Sequence, residues 1–212
     1  MKRTYSCRRV SGLVLSAITL SGCTLFESAP VRYYALSAAP GDSSAPWPRG
    51  GPTFALGSVR IPQYLSHKWI VTRNGETEIS LAADDQWAAP LADDIGRVLS
   101  ENLTAMIPSD RVVQLPLSSA IPVDYEIRVE IVSFEQQPDG SVDLVARWTV
   151  FGDGGRRLVA MNRSAFRTTD VSNDYPSITR AMSALLVELS HEIASSVHRL
   201  PPTAARRGGN PT

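Results

Sequence analysis

The chain has 212 residues and carries 21 Lys and Arg against 21 Asp and Glu, so its formal net charge is zero. This length is enough for one domain with a substantial core. The charge balance disfavours nucleic acid as a partner, because phosphate binding needs a concentrated basic face.

The N-terminal segment has the parts of a bacterial lipoprotein signal. Four basic residues precede an apolar run, Val10–Leu20, of 11 residues. That run is too short to span a bilayer, which takes about 20 residues, and has the length typical of a signal peptide. It ends in a lipobox, Leu20-Ser21-Gly22-Cys23, in which small residues admit the peptidase and Cys23 offers the thiol that accepts a lipid. The alternative is an ordinary secretory signal with an incidental cysteine.

Cleavage before Cys23 removes four basic residues and no acidic one, which leaves 17 Lys and Arg against 21 Asp and Glu. No polybasic segment lies near Cys23, so the predicted attachment to the membrane is the covalent lipid alone, and no cofactor is expected. Cys7 leaves with the signal, so we expect neither a free thiol nor a disulfide in the domain. Thr24, rather than Asp, follows Cys23, which favours the periplasmic leaflet of the outer membrane.

The expected organisation is a signal peptide over 1–22, a lipidated tether over 23–30, a folded domain over 31–200 and a disordered tail over 201–212. The domain opens with two predicted strands, Arg32–Leu36 and Thr53–Ile61. Between them, Ala38–Pro52 is rich in proline and glycine and is typical of an irregular loop.

A hairpin is predicted next, because Asn74-Gly75 lies between two extended segments, Trp69–Arg73 and Glu76–Leu81. A two-residue turn at that position places Val71 opposite Glu78 and Arg73 opposite Glu76.

Helical spacing follows over Trp87–Ile107, where Pro90 suits a first turn and Asp93 and Asp94 favour the positive end of the helix dipole. Arg111–Leu115 is predicted to be a short strand.

The clearest β region is Asp124–Arg167, in which apolar and polar residues alternate. Folding about Pro138-Asp139-Gly140 puts Val129 opposite Trp148 and Glu130 opposite Arg147, so both faces match. A last helix is predicted between the N-cap Asp174 and the Pro201-Pro202 stop. Its apolar stripe comprises Ile178, Met182, Leu185, Leu186, Leu189, Ile193, Val197 and Leu200. These elements predict a single α+β domain, with two main helices packed on one face of a largely antiparallel sheet.

The residues with catalytic potential form no recognised motif. His191 and His198 are seven positions apart, too far for the i, i+4 pair of a zinc-binding helix, and no GxSxG or phosphate-binding loop occurs. We therefore expect neither an enzyme nor a metal site. The stretch Ile61–Leu65, with Trp69 and Trp87 near it in sequence, is either a loop folded onto the core or an aromatic edge that docks a partner.

Four ordered motifs carry a resemblance: Tyr33-Tyr34-x-Leu36, Ile61-Pro62-x-Tyr64-Leu65, Ile70-Val71-Thr72-Arg73 and Trp87-Ala88-x-Pro90-Leu91. Together with the lipobox they resemble the ABC-type transport auxiliary lipoprotein family.

The resemblance implies a non-catalytic, outer-membrane-anchored subunit of an MCE-type lipid transport system, which meets an inner-membrane MCE protein across the periplasm. It marks Tyr64, Leu65, Arg73, Trp87 and Leu91 as partner-binding residues. Ring-like self-assembly is consistent with that role. Two rival classes are a pilotin-like assembly lipoprotein and a ligand-binding lipoprotein, the latter with a cavity between helices and sheet.

Overall fold

The computed structural model describes residues 30–40, 52–107, 112–115 and 122–199. The predicted signal peptide, Cys23, nearly all of the predicted tether, Leu200 and residues 201–212 lie outside these ranges. The described residues form one eight-stranded sheet, two helices and a short 3₁₀ turn at Gln63–Leu65. The strands are β1 Arg32–Tyr34, β2 Phe54–Leu56, β3 Trp69–Arg73, β4 Ile79–Trp87, β5 Val112–Gln114, β6 Tyr125–Gln136, β7 Val142–Gly152 and β8 Arg157–Thr168. The helices are α1 Leu91–Met106 and α2 Tyr175–His198.

Strand β6 is the centre of the sheet. It pairs along its length with β7, which pairs with β8, and both ladders are antiparallel. The other edge of β6 is shared by β2 and β3, with Arg60 bridging to Glu130 between them. Beyond β3 lie β4 and then β1. The predicted α+β class and the dominance of antiparallel pairing are confirmed.

The long hairpin β6–β7 has the predicted register, with Val129 opposite Trp148 and Glu130 opposite Arg147. Alternation along these strands defines two faces of the sheet. Val129 and Trp148 lie on the inner face, which the helices cover, and Trp148 is only 2% exposed. Its indole N–H donates a hydrogen bond to the Ser164 hydroxyl at 3.0 Å. The opposite face, with Glu130 and Arg147, is the outer face.

The two helices pack against each other, and α2 also lies against β6, β7 and β8. The apolar stripe predicted for α2 is buried as far as it is described. A buried polar contact joins the helices, in which Asn102 Nδ2 donates to the Ser190 hydroxyl at 3.2 Å. The core of the domain therefore lies between the helices and the inner face of the sheet.

Helix α1 begins four residues later than its apolar spacing predicts. Trp87 is the last residue of β4, and Pro90 occupies the N-cap position. The backbone N–H of Trp87 donates to the Lys68 carbonyl at 2.7 Å, and that of Ala88 donates to Tyr34 at 2.8 Å. Trp87 is buried in either conformation, so periodicity alone does not distinguish the end of the strand from the start of the helix.

The β3–β4 hairpin differs from the prediction. Arg73 pairs with Ile79, and Val71 pairs with Leu81. Neither Asn74 nor Gly75 has the positive φ that a two-residue turn requires. The loop is longer, and the Asn74 N–H closes it on the Glu78 carbonyl at 3.0 Å. This register gives the buried Val71 an apolar partner instead of the charged Glu78.

The start of α2 provides a first testable prediction. Asp174 is the N-cap, and its carboxylate accepts a hydrogen bond from the Ser177 N–H at 2.9 Å. Removal of this acceptor by Asp174→Ala is expected to lower the free energy of unfolding by about 1 kcal/mol. Urea unfolding measures the loss. Asp174→Ser keeps a capping oxygen and should retain most of the stability, so equal losses in both variants would contradict the capping role.

Candidate docking site on the outer sheet face

The structure separates the five predicted partner-binding residues into two groups. Leu65, Trp87 and Leu91 belong to the hydrophobic core, and each is at most 5% exposed. Their side chains are apolar and enclosed, so they have no surface with which to touch a partner. For these three residues we correct the predicted role from contact to packing. Tyr64 and Arg73 are half-buried, and partner contact by them stays a prediction.

Tyr64 and Arg73 meet at Glu135, which is 1% exposed. The Tyr64 hydroxyl donates to Glu135 Oε2 at 2.9 Å, and Arg73 Nη2 donates to Oε1 at 2.8 Å. The backbone N–H of Phe134 adds a third donor at 2.7 Å. Both carboxylate oxygens therefore have partners, as a buried charge requires. We call these side chains the Glu135 cluster.

Sequence reasoning missed Glu135. The alternation of β6 shifts by one residue at the bulge between Ile131 and Ser133, which turns Phe134 inward and Glu135 outward. The strand end is Ser133-Phe134-Glu135-Gln136, in which a glutamate among mostly polar neighbours gives no local signal of burial. Its partners lie 71 and 62 residues away in sequence, so no local pattern joins them.

The Glu135 cluster acts as a brace, by which we mean that its hydrogen bonds hold segments distant in sequence against each other. Burial is the largest effect on the Tyr64 hydroxyl and raises its pKa well above the ordinary value, and the charge of Glu135 raises it further. The hydrogen bond to Glu135 raises the pKa of Arg73. Tyr64 is therefore neutral and Arg73 cationic at neutral pH, and both donate hydrogen bonds to the Glu135 carboxylate.

The Glu135 cluster fixes the loop over residues 62–68, which contains the 3₁₀ turn, against the sheet. Gln63, Ser66, His67 and Lys68 are exposed, whereas Tyr64 and Leu65 point into the structure. The Lys68 ammonium lies 5.0 Å from the centroid of the Trp69 ring, within the range of a cation–π contact. This 62–68 loop thus combines a rigid base with an exposed polar and basic surface.

A second brace fastens the N-terminal segment to the domain. Arg32 forms an ion pair with Asp85 at 2.7 Å, and the Tyr34 hydroxyl donates to the same carboxylate at 2.8 Å. Two residues later, the Leu36 N–H donates to the buried carboxylate of Asp94 at 2.7 Å. The chain is therefore attached to the fold within a few residues of the predicted tether.

The contacts of Asp85 should make the free energy of unfolding depend on pH. Burial is the largest single effect on Asp85 and raises its pKa, but the hydrogen bonds from Arg32 and Tyr34 together with the Arg32 charge outweigh it, so the net pKa lies below the ordinary value. The carboxylate consequently stabilises the fold above the unfolded pKa of about 4, and this contribution is lost as the pH falls through the folded pKa.

Asp85→Asn is therefore expected to flatten the loss of stability in acid, which urea unfolding between pH 7 and pH 3 measures. Asp84→Asn, which changes an adjacent residue without an ion pair among the described residues, is the control. Parallel pH curves for Asp85→Asn and the unmodified protein would contradict the role of Asp85.

A groove of about 940 Å³ also lies on the outer face, beside β7 and β8. Its lining includes four arginines and two apolar side chains: Arg60, Arg128, Arg147, Arg163, Phe151 and Met161. The Arg128 guanidinium lies 4.5 Å from the centroid of the Phe151 ring and pairs with Glu126 at 2.6 Å. We call this the arginine groove. It is on the face opposite to the one where a ligand-binding lipoprotein was expected to carry its cavity.

Within the described ranges, no group of three or more His, Cys, Asp or Glu side chains is placed to hold a metal ion. His191 and His198 are both exposed on α2. No helix in the described part of the chain has the length and apolar character needed to cross a bilayer.

These contacts define a two-layer α+β domain with braced loops and an open outer face. Its fold is shared with solved structures of low sequence identity. A protein described only as uncharacterised is 19% identical, with a TM-score of 0.66 over 80% of this chain and 99% of its own. A Xanthomonas campestris protein is 15% identical, with a TM-score of 0.63 over 78% of this chain and 93% of its own.

The chain belongs to the family described as the ABC-type transport auxiliary lipoprotein component, whose model matches residues 34–194. It is 24% identical over 191 residues to the intermembrane transport lipoprotein PqiC of Escherichia coli. The aligned region covers 89% of this chain and 97% of that protein. The protein of the same name from Shigella flexneri matches to the same extent. The chain is therefore an auxiliary lipoprotein of a transport system.

Proposed function

We propose that this protein is an outer-membrane-anchored, non-enzymatic subunit that docks a trans-periplasmic MCE assembly to the outer membrane and supports membrane integrity. Its direct partner is an MCE-domain protein, which is joined to inner-membrane components. Ring-like self-assembly of the chain is part of the proposal. Family membership and similarity to an intermembrane transport lipoprotein support it.

The observation that carries the proposal is the 62–68 loop on its buried brace. A docking surface needs exposed groups held in one arrangement, because ordering them on binding costs free energy. The Glu135 cluster supplies that order, and Trp69, whose ring His67 and Lys68 flank, is a residue type enriched at interfaces.

The anchor limits where this docking takes place. Seven residues, Thr24–Pro30, separate the predicted lipidated Cys23 from the braced segment. Fully extended, they reach about 25 Å. Because Arg32 and Leu36 are held by the domain, the tether gains no further length from them. A partner must come close to the membrane surface, as a trans-periplasmic assembly would.

Photocrosslinking in cells tests the docking. A photoreactive residue replaces Gln63, Ser66 or His67, which are exposed on the 62–68 loop, and Glu188 on the exposed side of α2 is the control position. We expect adducts with an MCE protein from the loop and not from position 188. Adducts only with unrelated outer-membrane assembly factors would favour the pilotin-like alternative and contradict the proposal.

The anchor has its own test. Cys23→Ala removes the thiol that accepts the lipid, and the mature sequence has no other feature that binds a membrane. We expect the variant to lose sedimentation with the outer membrane on fractionation. Cys7→Ala changes a cysteine of the signal but keeps the lipobox, so it should fractionate like the unmodified protein. Retention of the Cys23 variant in the outer membrane would contradict the anchor.

A further inference from the structure

The arginine groove crosses the outer face of β6, β7 and β8, and its β8 side is a free edge of the sheet. Strand β8 pairs only with β7 among the described residues. Two apolar side chains are strongly exposed there, Leu158 at 53% and Met161 at 70%. Arg60 and Arg163 form no ion pair with any part of the described chain, and the Arg147–Glu130 pair is long at 3.8 Å. The groove and the adjoining β8 edge therefore combine apolar area with unneutralised positive charge.

The opposite edge of the same sheet has the complementary character. The end of the β3–β4 hairpin exposes the carboxylates of Glu76 and Glu78, neither of which forms an ion pair with a described residue. Ile79 and Leu81 follow, at 38% and 45% exposure. We call these four residues the acidic hairpin end. Strand β1 pairs with β4 only at 85–87, so the first part of β4 also has an open edge within the described residues.

These two surfaces cannot meet within one molecule, because β3, β6 and β7 lie between β4 and β8. We infer that the acidic hairpin end of one copy occupies the arginine groove of a second copy. Glu76 and Glu78 would neutralise Arg60 and Arg163, while Ile79 and Leu81 would cover Leu158 and Met161.

The contact is heterologous, since it uses two different surfaces. Each copy in such a pair keeps one surface free for the next copy, and the chain of contacts closes into a ring if the rotation allows it. The inference rests on the self-assembly within the proposed function and names the surfaces that form it. It does not depend on the 62–68 loop or on the MCE partner.

The test uses the full-length lipidated protein in membranes. Leu81→Cys and Met161→Cys are combined in one chain, whose lipidated Cys23 offers no free thiol. Mild oxidation should produce a ladder of disulfide-linked oligomers, because each cysteine meets its counterpart on a neighbouring copy. A second pair, Glu188→Cys with Met161→Cys, places one cysteine on exposed α2 and should give no ladder.

Charge reversal then tests the ion pairs by sedimentation of the detergent-solubilised protein. Arg163→Glu and Glu78→Arg should each weaken association about tenfold or more, because like charges then face each other. The double variant should recover most of the loss, and Glu188→Arg should leave association unchanged.

If the oligomers persist in both single charge-reversal variants, the proposed contact is wrong, and the protein self-assembles through another surface. A monomer at all concentrations, or a groove filled instead by lipid or another protein in the crosslinked material, would overturn it as well. Crosslinking from the 62–68 loop reports on the MCE partner separately.

Discussion

Trp148→Ala is expected to lower the free energy of unfolding by about 3–5 kcal/mol, the range for removing a large aromatic side chain from a packed core. Trp148 is 2% exposed at the centre of β7, between Val129 on β6 and the β8 strand. The substitution deletes apolar contacts and also leaves the Ser164 hydroxyl without its indole donor. Urea unfolding of the two proteins measures the difference.

Two control variants separate the causes. Trp148→Phe keeps most of the ring volume but loses the N–H, so its loss should be smaller than that of the alanine variant. Arg147→Ala changes the neighbouring residue on the outer face, where the side chain is 57% exposed, and should cost less than about 0.5 kcal/mol. A loss within 0.5 kcal/mol for Trp148→Ala would mean that this face is not the core.

Glu135→Ala is expected to cost about 2–4 kcal/mol, because it leaves the Arg73 guanidinium and the Tyr64 hydroxyl without their acceptor in a largely enclosed site. Glu135→Gln keeps the shape and one acceptor oxygen and should cost less. Glu130→Ala removes a glutamate that is 44% exposed and is the matched control, with an expected loss below about 0.5 kcal/mol.

A double-mutant cycle distinguishes the brace from independent contacts. If Glu135 acts through Arg73, the loss in the Arg73→Ala, Glu135→Ala double variant should be well below the sum of the two single losses. Additive losses would contradict the brace. Glu135→Ala should also weaken photocrosslinking from Gln63 and Ser66, since the 62–68 loop then loses the contact that fixes it on the sheet.

Local patterns predicted those parts of the fold whose partners are close in sequence or repeat regularly. The β6–β7 register followed from alternation on two strands joined by a short turn, and a one-residue slip would have exposed Trp148. The cap at Asp174 and the apolar stripe of α2 followed from the same kind of local evidence.

Where two conformations bury the same residues, the sequence pattern did not determine which conformation the chain adopts. Trp87 is buried at the end of β4, and the helical stripe would have buried it as well. At Asn74-Gly75 the strongest hairpin signal predicted a two-residue turn, but pairing of Val71 with Leu81 selected a longer loop. Propensity for a turn is a local preference, and burial of a strand residue overrides it.

The sequence by itself determined the α+β class and the family, because these depend on periodicity and on the order of short motifs, whereas the lipoprotein signal stays a prediction. Only the tertiary structure decided the roles of the motif residues. It placed Leu65, Trp87 and Leu91 in the core and joined Tyr64 and Arg73 through Glu135, which is distant from both in sequence. It also placed an acidic hairpin end at one edge of the sheet and a basic groove on the outer face towards the other edge. Such placements depend on which distant segments become neighbours, and a single linear sequence carries no direct record of that.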